Sequence, residues 1–199
     1  MSTLSDIAPK ADALILDYEG FSPNPEWPGF SSGITIGYGD DLGYCTLDEF
    51  TQRWGKFLTQ SDFDILKATI GETDSTAQEL LPNVKHVFIR EKDAHYVFDT
   101  FLMPDYMAKT INTFPSANLL PGEAFGALVS LVYNRGTSLI GDRRTEMAAL
   151  VPLVANKDLQ GMANQFLSMR RLWPKVPNSD RDLYNRRTDE AQLILDCIT

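Results

Sequence analysis

The sequence predicts an α+β protein that is mostly helical, with a small β lobe after the first helix packed on a larger helical lobe. Three observations support this: an amphipathic segment at the start, a glycine-rich stretch after it, and helical patterns that continue to the end. We expect one domain of 199 residues, with a first helix at 1–20, a β lobe at 21–45 and a helical lobe at 46–199. A chain of this length can bury a core without covalent cross-links.

The first helix is predicted from apolar residues at helical spacing. These residues are Ile7, Ala11, Leu14, Ile15 and Tyr18. We expect Thr3 or Ser5 to cap the N-terminus of the helix and Gly20 to end it. Glu19 is therefore predicted to lie at the last position of the helix.

The segment after the first helix has the composition of short strands and turns. Glycines punctuate it at positions 29, 33, 37, 39 and 43, around β-branched and aromatic residues. Because side chains alternate along a strand, Thr35 is expected on the face opposite to Ile34, Ile36 and Tyr38. The sequence thus predicts a strand with one polar residue on its second face.

Helical patterns occupy the rest of the chain. Thr46 and Glu49 form a capping-box pattern in front of the first of them. No repeat or long polar linker interrupts these patterns. The predicted helices lie at 46–58, 61–70, 74–81, 89–102, 104–113, 121–134, 143–155, 158–170 and 180–196.

The composition argues against several classes of function. A net charge of −9 disfavours a nucleic-acid partner, because phosphate binding requires a basic surface. No segment is long and apolar enough to cross a bilayer, so we expect a soluble protein with no membrane partner. His86 and His95 lack clustered ligand residues, so neither a metal nor another cofactor is expected. Cys45 and Cys197 are interpreted as inert thiols rather than as a disulfide.

Glu19 and Thr35 have features suited to glycosidic cleavage. This reaction requires a proton donor beside the leaving oxygen and a second carboxylate that activates water or stabilises charge on the sugar. At a helix C-terminus, the partial negative charge of the helix and the apolar neighbours of Glu19 both favour a protonated carboxyl. The Thr35 hydroxyl, facing such a Glu across a cleft, is a candidate to hold the attacking water.

Two motifs in this region resemble known families. Glu19-Gly20, followed by Thr-Ile-Gly-Tyr-Gly at 35–39, resembles the phage lysozyme pattern of a Glu-Gly helix end and a TIGxG strand. The extension Gly-Asp-Asp-Leu-Gly at 39–43 is closer to pesticin-like muramidases and related phage or interbacterial toxins. In those proteins the catalytic set is a Glu, a Thr and an Asp six residues after that Thr. The resemblance thus implies Glu19, Thr35 and Asp41 as catalytic residues.

The second carboxylate is where the chain departs from classical phage lysozymes. Those enzymes place their catalytic Asp six residues before the Thr, and this position here is Gly29. We therefore assign the second carboxylate to Asp41 first, Asp40 second and Glu26 third. The alternative is that Asp40 and Asp41 cap a turn.

The helical half of the chain resembles the same superfamily. Residues 127–136 resemble its buried central helix, which ends in an Asn or Gln followed by a Gly turn. Residues 169–173 and 184–190 resemble its closing segments. Arg186, Arg187 and Glu190 are interpreted as a structural ion-pair network.

Several further residues are candidates for substrate contact. Aromatic rings stack on sugars but more often form the core of a small lobe, and both readings apply to Trp27, Phe30, Tyr38 and Tyr44. The residues that we assign to substrate binding are Tyr38, Asp40, Tyr44 and Asn134.

The resemblance implies a peptidoglycan muramidase that hydrolyses the β-1,4 bond between N-acetylmuramic acid and N-acetylglucosamine by an inverting mechanism. A lytic transglycosylase and a noncatalytic peptidoglycan-binding module are the alternatives. We expect a monomer whose partner is the glycan strand, with an immunity protein in addition if the chain is an antibacterial toxin. The N-terminus shows no export signal, so we expect synthesis in the cytoplasm and delivery to the periplasm or cell wall by a holin or a secretion system. An endolysin and a toxin both fit this expectation.

Overall fold

A computed structural model of the chain describes residues 7, 9–177, 179 and 181–198. Within that part, α-helices dominate and a small antiparallel sheet of three strands follows the first helix, so the predicted fold class is confirmed. The chain divides into two compact units. Unit 1 comprises Met1–Tyr18 and Met103–Thr199, and unit 2 comprises Glu19–Leu102.

The elements agree with the predicted helices to within a few residues at most ends. The strands are β1 (Ser22–Glu26), β2 (Thr35–Gly37) and β3 (Asp40–Asp41). The helices are α1 (Pro9–Glu19), α2 (Leu47–Trp54), α3 (Gln60–Lys67), α4 (Asp74–Val84), α5 (Glu91–Val97), α6 (Met103–Thr113), α7 (Gly122–Arg135), α8 (Thr145–Ala155), α9 (Leu159–Met169) and α10 (Leu183–Leu195). Across the described residues, none of these helices combines the length and the apolar character that a membrane span requires.

Helix α1 ends where the sequence predicts. It begins at Pro9, whose fixed φ suits the first turn of a helix. It ends at Glu19, because Gly20 adopts a φ of +66°, a conformation that glycine tolerates and that stops a helix. The predicted caps Thr3 and Ser5 lie outside the described residues.

Unit 1 is built around α7, the predicted central helix. Every residue of α7 from 124 to 133 is buried. Gly126 allows α1 to approach closely, because a Cβ atom there would lie 2.0 Å from the Cβ of Ala11. Helix α10 packs against α7 and α9, and α9 packs against α8.

A buried ion-pair network links α7 to α10 within unit 1. The Glu190 carboxylate accepts hydrogen bonds from the Ser130 hydroxyl at 2.5 Å, from Arg187 Nη2 at 2.9 Å and from Arg186 Nε at 3.3 Å. All four side chains are buried. The structural role that the sequence predicts for the two arginines and Glu190 is thus observed.

Unit 2 joins the strands to helices that the sequence assigns to the other lobe. Asn24 Nδ2 donates to the Val87 carbonyl oxygen at 2.9 Å, and the Ile89 amide donates to the Pro23 carbonyl oxygen at 2.8 Å. Residues 46–102 therefore cluster with the strands in unit 2, whereas the sequence analysis groups them with the helical lobe. The physical reason is that three short strands bury too little apolar surface alone and need helices packed against them.

Candidate active site

The strand register sets three predicted site residues in one row. Thr35 of β2 lies opposite Glu26 of β1 on one side and opposite Asp41 of β3 on the other. Directly paired residues of antiparallel strands project to the same face, with Cβ atoms about 4.5–5.5 Å apart. Glu26 is exposed, whereas Thr35 and Asp41 are half-buried. This face of the sheet therefore carries two carboxylates and a hydroxyl within reach of solvent.

Asp40 lies on the opposite face of the sheet. It pairs with Ile36, and both side chains are buried, Asp40 with 3% exposure. Its Oδ1 accepts from Arg53 Nη1 at 2.8 Å and its Oδ2 accepts from Trp54 Nε1 at 2.7 Å. Asp40, predicted as a substrate contact, is thus a buried partner that fixes α2 on the sheet.

Asp41 caps the turn that follows β3. Its Oδ1 accepts from the Gly43 amide at 2.9 Å and from the Gly33 amide at 3.0 Å. Burial raises the pKa of Asp41 above the ordinary value, and the two backbone hydrogen bonds partly offset this effect. Asp41 therefore caps a turn, and this capping holds its carboxylate in a fixed orientation.

The Gly33 and Gly43 amides bind the Asp41 carboxylate, and we call this pair of hydrogen bonds the clamp on Asp41. It depends on both residues being glycine. A Cβ atom at Gly33 would lie 2.4 Å from the Gly43 Cα and 2.5 Å from Asp41 Oδ1. Any side chain at position 33 would therefore displace the backbone or the carboxylate. The glycine spacing of this segment reflects close backbone approach as well as turns.

Glu19 ends α1 and belongs to the same compact unit as the row. Its side chain is half-buried. After Gly20 and Phe21 the chain enters β1, which runs from Ser22, opposite Gly37, to Glu26, opposite Thr35. Only Gly20 and Phe21 therefore separate the predicted acid from the strand that contributes Glu26 to the row.

Tyr38 belongs to the core of unit 2. It is 8% exposed, and its hydroxyl donates to Glu91 Oε1 at 3.0 Å. Its ring packs at centroid distances of 5.5–5.9 Å against the rings of Phe21, His95 and Phe98. The core alternative thus applies to Tyr38, although the sequence analysis assigns it to substrate.

Tyr44 is accessible, in contrast to Tyr38. Its side chain is 69% exposed, and its hydroxyl donates to the Ser31 carbonyl oxygen at 2.7 Å. The hydrogen bond fixes the ring against the loop that joins β1 to β2. Tyr44 therefore presents a ring face to solvent in unit 2.

Asn134 lies in unit 1, in the last turn of α7. It is half-buried, and its Oδ1 accepts from Arg187 Nη2 at 3.4 Å. The next residue, Arg135, stacks its guanidinium on the Trp173 ring at 4.9 Å from the centroid. In unit 1, Asn134 thus extends the polar network around α10.

Glu26, the third choice for the second carboxylate, lies in the same row as Thr35. The Ser32 amide donates to the Gly29 carbonyl oxygen at 3.2 Å and closes the β1–β2 turn. Counting outward from that turn brings Glu26 opposite Thr35. A hairpin predicted from the glycine positions gives the same pairing.

Among the described residues, no group of three or more His, Cys, Asp or Glu side chains is arranged to hold a metal ion.

Comparisons with known proteins agree with this architecture. The active form of P1 phage endolysin Lyz has a similar fold, with a TM-score of 0.56 and 16% identity over 98% of this chain and 87% of that chain. No curated protein matches the sequence. The phage lysozyme family matches residues 16–190, a span that includes Glu19, the row on the sheet and helices α6 to α9 of unit 1. The chain therefore belongs to the phage lysozyme family, that is, to lysozyme-like enzymes that lyse peptidoglycan.

Proposed function

We propose that this protein is a muramidase that hydrolyses the β-1,4 bond between N-acetylmuramic acid and N-acetylglucosamine. The observation that carries the proposal is the strand register, which pairs Asp41 directly with Thr35 on an accessible face. Membership of the phage lysozyme family supports it. So does Glu19, a half-buried carboxyl at a helix end in the same unit.

In the proposed mechanism, Glu19 protonates the oxygen of the leaving sugar. Asp41 and Thr35 hold a water molecule whose oxygen bonds to the anomeric carbon as the glycosidic bond breaks. The proton of that water passes to Asp41. Direct attack by water inverts the anomeric configuration, and enzymes of this kind hold their two carboxyls about 6.5–9.5 Å apart.

Asp41 is favoured over Glu26 as the second carboxylate because its orientation is fixed. Two backbone amides hold Asp41, whereas Glu26 is exposed at the end of β1. A fixed carboxylate holds water in one geometry at lower entropic cost than a mobile one. Glu26 remains the second candidate because it flanks Thr35 in the same row.

Lysis of purified sacculi by Glu19→Gln tests the acid. Loss of a general acid lowers the rate by roughly 10²- to 10⁴-fold, so we expect Glu19→Gln to clear sacculi at least about 10²-fold more slowly than wild type. Equal rates would refute the assignment. Mass spectrometry of the products tests the reaction class, because a reducing end indicates hydrolysis and an anhydro sugar, lighter by one water, indicates a transglycosylase.

A matched pair of variants tests the second carboxylate. We expect Asp41→Asn to lower kcat by roughly 10²-fold or more, and Glu26→Gln to lower it by less than about 10-fold. The reverse order would transfer the role to Glu26. NMR of the first products distinguishes inversion from retention at the anomeric carbon.

A further inference from the structure

The β1–β2 turn holds an aromatic residue in a conformation that favours glycine. Phe30 has a φ of +53°, which bulky residues rarely adopt. It is the second residue of the turn closed by the hydrogen bond from Ser32 to Gly29, and Ser31 does not share the positive φ. This is the sign pattern of a type II′ turn, in which glycine usually occupies the second position. Phe30 therefore makes the turn less stable than glycine would.

Packing does not explain Phe30, because its side chain is 93% exposed. A strained residue that buries nothing is better explained by a ligand than by the fold.

The turn is held rigidly by its neighbours. Trp27 Nε1 donates to the Ser32 carbonyl oxygen at 3.0 Å, and the Asp74 amide donates to the same oxygen at 3.1 Å. The Tyr44 hydroxyl holds the adjacent Ser31 carbonyl oxygen. Phe30 thus lies in a turn that three hydrogen bonds hold in place, one of them from the exposed Tyr44.

The turn joins β1 and β2 at the end of the strands where the row crosses them. The two strands that leave it reach Glu26 and Thr35 as a directly opposed pair. A glycan strand that reaches Thr35 extends for several sugar rings on either side. Pyranose rings present apolar C–H faces, for which an aromatic ring is a complementary surface. With a net charge of −9, the chain gains no general attraction to an anionic wall, which favours contacts of this apolar kind.

We propose that Phe30 is a sugar-binding residue whose ring stacks on a pyranose face of the glycan strand, at a subsite beyond the cleaved bond. The inference rests on the proposed function in taking this glycan as the ligand. Phe30 makes the turn less stable than glycine would, but it provides an ordered aromatic ring for the sugar. Tyr44 is also exposed and holds the same turn through its hydroxyl.

Binding to peptide-free glycan strands tests the inference in the Glu19→Gln background, in which the ligand is not consumed. We expect Phe30→Asn to weaken cosedimentation with these strands by about fivefold, whereas Phe30→Trp stays within about twofold of the parent. Phe30→Asn should also raise Tm, because Asn tolerates a positive φ better than Phe. Phe88→Ala is the matched control, since Phe88 is 66% exposed in the same unit but lies outside the turn.

Unchanged binding by Phe30→Asn, or an equal loss in Phe88→Ala, would overturn the inference. If binding depended on Phe30 only when the sacculi retain their stem peptides, the ligand would not be the sugar and the inference would be overturned. Hydrolysis by the wild type is measured separately. Glycan binding that depends on Phe30 in a chain that does not cleave sacculi would support this inference while refuting the muramidase.

Discussion

Asp40 and Asp41 have the same side chain and adjacent positions, yet they lie on opposite faces of the sheet. Asp40 pairs with Ile36 on the buried face, and Asp41 pairs with Thr35 on the accessible face. Because side chains alternate along a strand, a shift of one residue in register would exchange their environments. The register of a two-residue strand therefore determines which carboxylate can meet a substrate.

The Thr35 hydroxyl gives a prediction at the scale of one residue. Thr35→Val removes the hydroxyl and keeps the branched shape that suits a strand. Because the hydroxyl is proposed to position the attacking water, we expect kcat to fall on the order of 10²-fold with little change in Tm. Thr35→Ser, which keeps a hydroxyl, should retain most of the activity. Equal activity of Thr35→Val and wild type in a sacculus-clearing assay would remove Thr35 from the mechanism.

Asp41 gives a prediction about pH. Burial raises its pKa, so Asp41 takes up a proton at a higher pH than the ordinary Asp value of about 3.9. Since the proposed mechanism requires the ionised carboxylate, kcat/KM should fall on acidification with a midpoint above that value. Carboxyl ¹³C NMR of the Glu19→Gln variant should report the same midpoint for Asp41. A midpoint below about 3.9 would contradict this prediction.

At the scale of elements, the contact between Gly33 and Gly43 supports the clamp on Asp41. A Cβ atom at position 33 meets backbone atoms at 2.4 Å, so Gly33→Ala must shift the turn. We expect a loss of about 1–3 kcal/mol in the free energy of unfolding, together with a loss of kcat as Asp41 moves. Denaturant unfolding and sacculus clearing measure the two effects.

Gly71→Ala is the matched control for that substitution. Gly71 also lies in unit 2 and has a φ of +79°, but a Cβ there would meet nothing within 4 Å. Backbone strain alone should destabilise this variant by about 1–2 kcal/mol while leaving kcat close to wild type. An equal loss of kcat in both variants would show that the clamp has no special role.

The helices are predictable from the sequence because their signals are local. The capping box of Thr46 and Glu49 is present in the structure, with the Glu49 amide donating to Thr46 Oγ1 at 3.2 Å. Gly20 ends α1 for the reason that the sequence gives, namely a positive φ. Alternation also predicts that Ile34 and Ile36 are buried opposite Thr35.

The pairing of strands and the grouping of elements depend on contacts that are distant in the sequence. The register shift in β1 between Ser22 and Glu26 leaves no signature in spacing, so the pairing of Ser22 with Gly37 could not be counted from the turn that brings Glu26 opposite Thr35. Likewise, Arg53 and Trp54 join α2 to the strands by contacting Asp40, which periodicity does not reveal. The sequence therefore predicts that Asp41 and Thr35 are neighbours. It does not predict which helices pack with their strands in unit 2.

At the scale of the whole molecule, each compact unit has its own buried charged cluster. In unit 1, Arg186 and Arg187 contact Glu190. In unit 2, Arg53 and Trp54 contact Asp40. Removing one partner of a buried ion pair usually destabilises a protein by about 3–5 kcal/mol, because the other charge remains buried. The two clusters therefore allow each unit to be perturbed separately.

We expect Glu190→Gln and Asp40→Asn to weaken different parts of the chain. In hydrogen-exchange mass spectrometry, Glu190→Gln should speed exchange first in peptides from α7 and α10, and Asp40→Asn first in peptides from β2 and α2. Lys109→Ala, which breaks the exposed pair with Asp105, should change neither set, because exposed ion pairs contribute about 0–1 kcal/mol. If both buried variants raised exchange equally in both sets of peptides, the two units would share one cooperative unfolding transition. The two compact units seen in the structure would then not differ in their local stability.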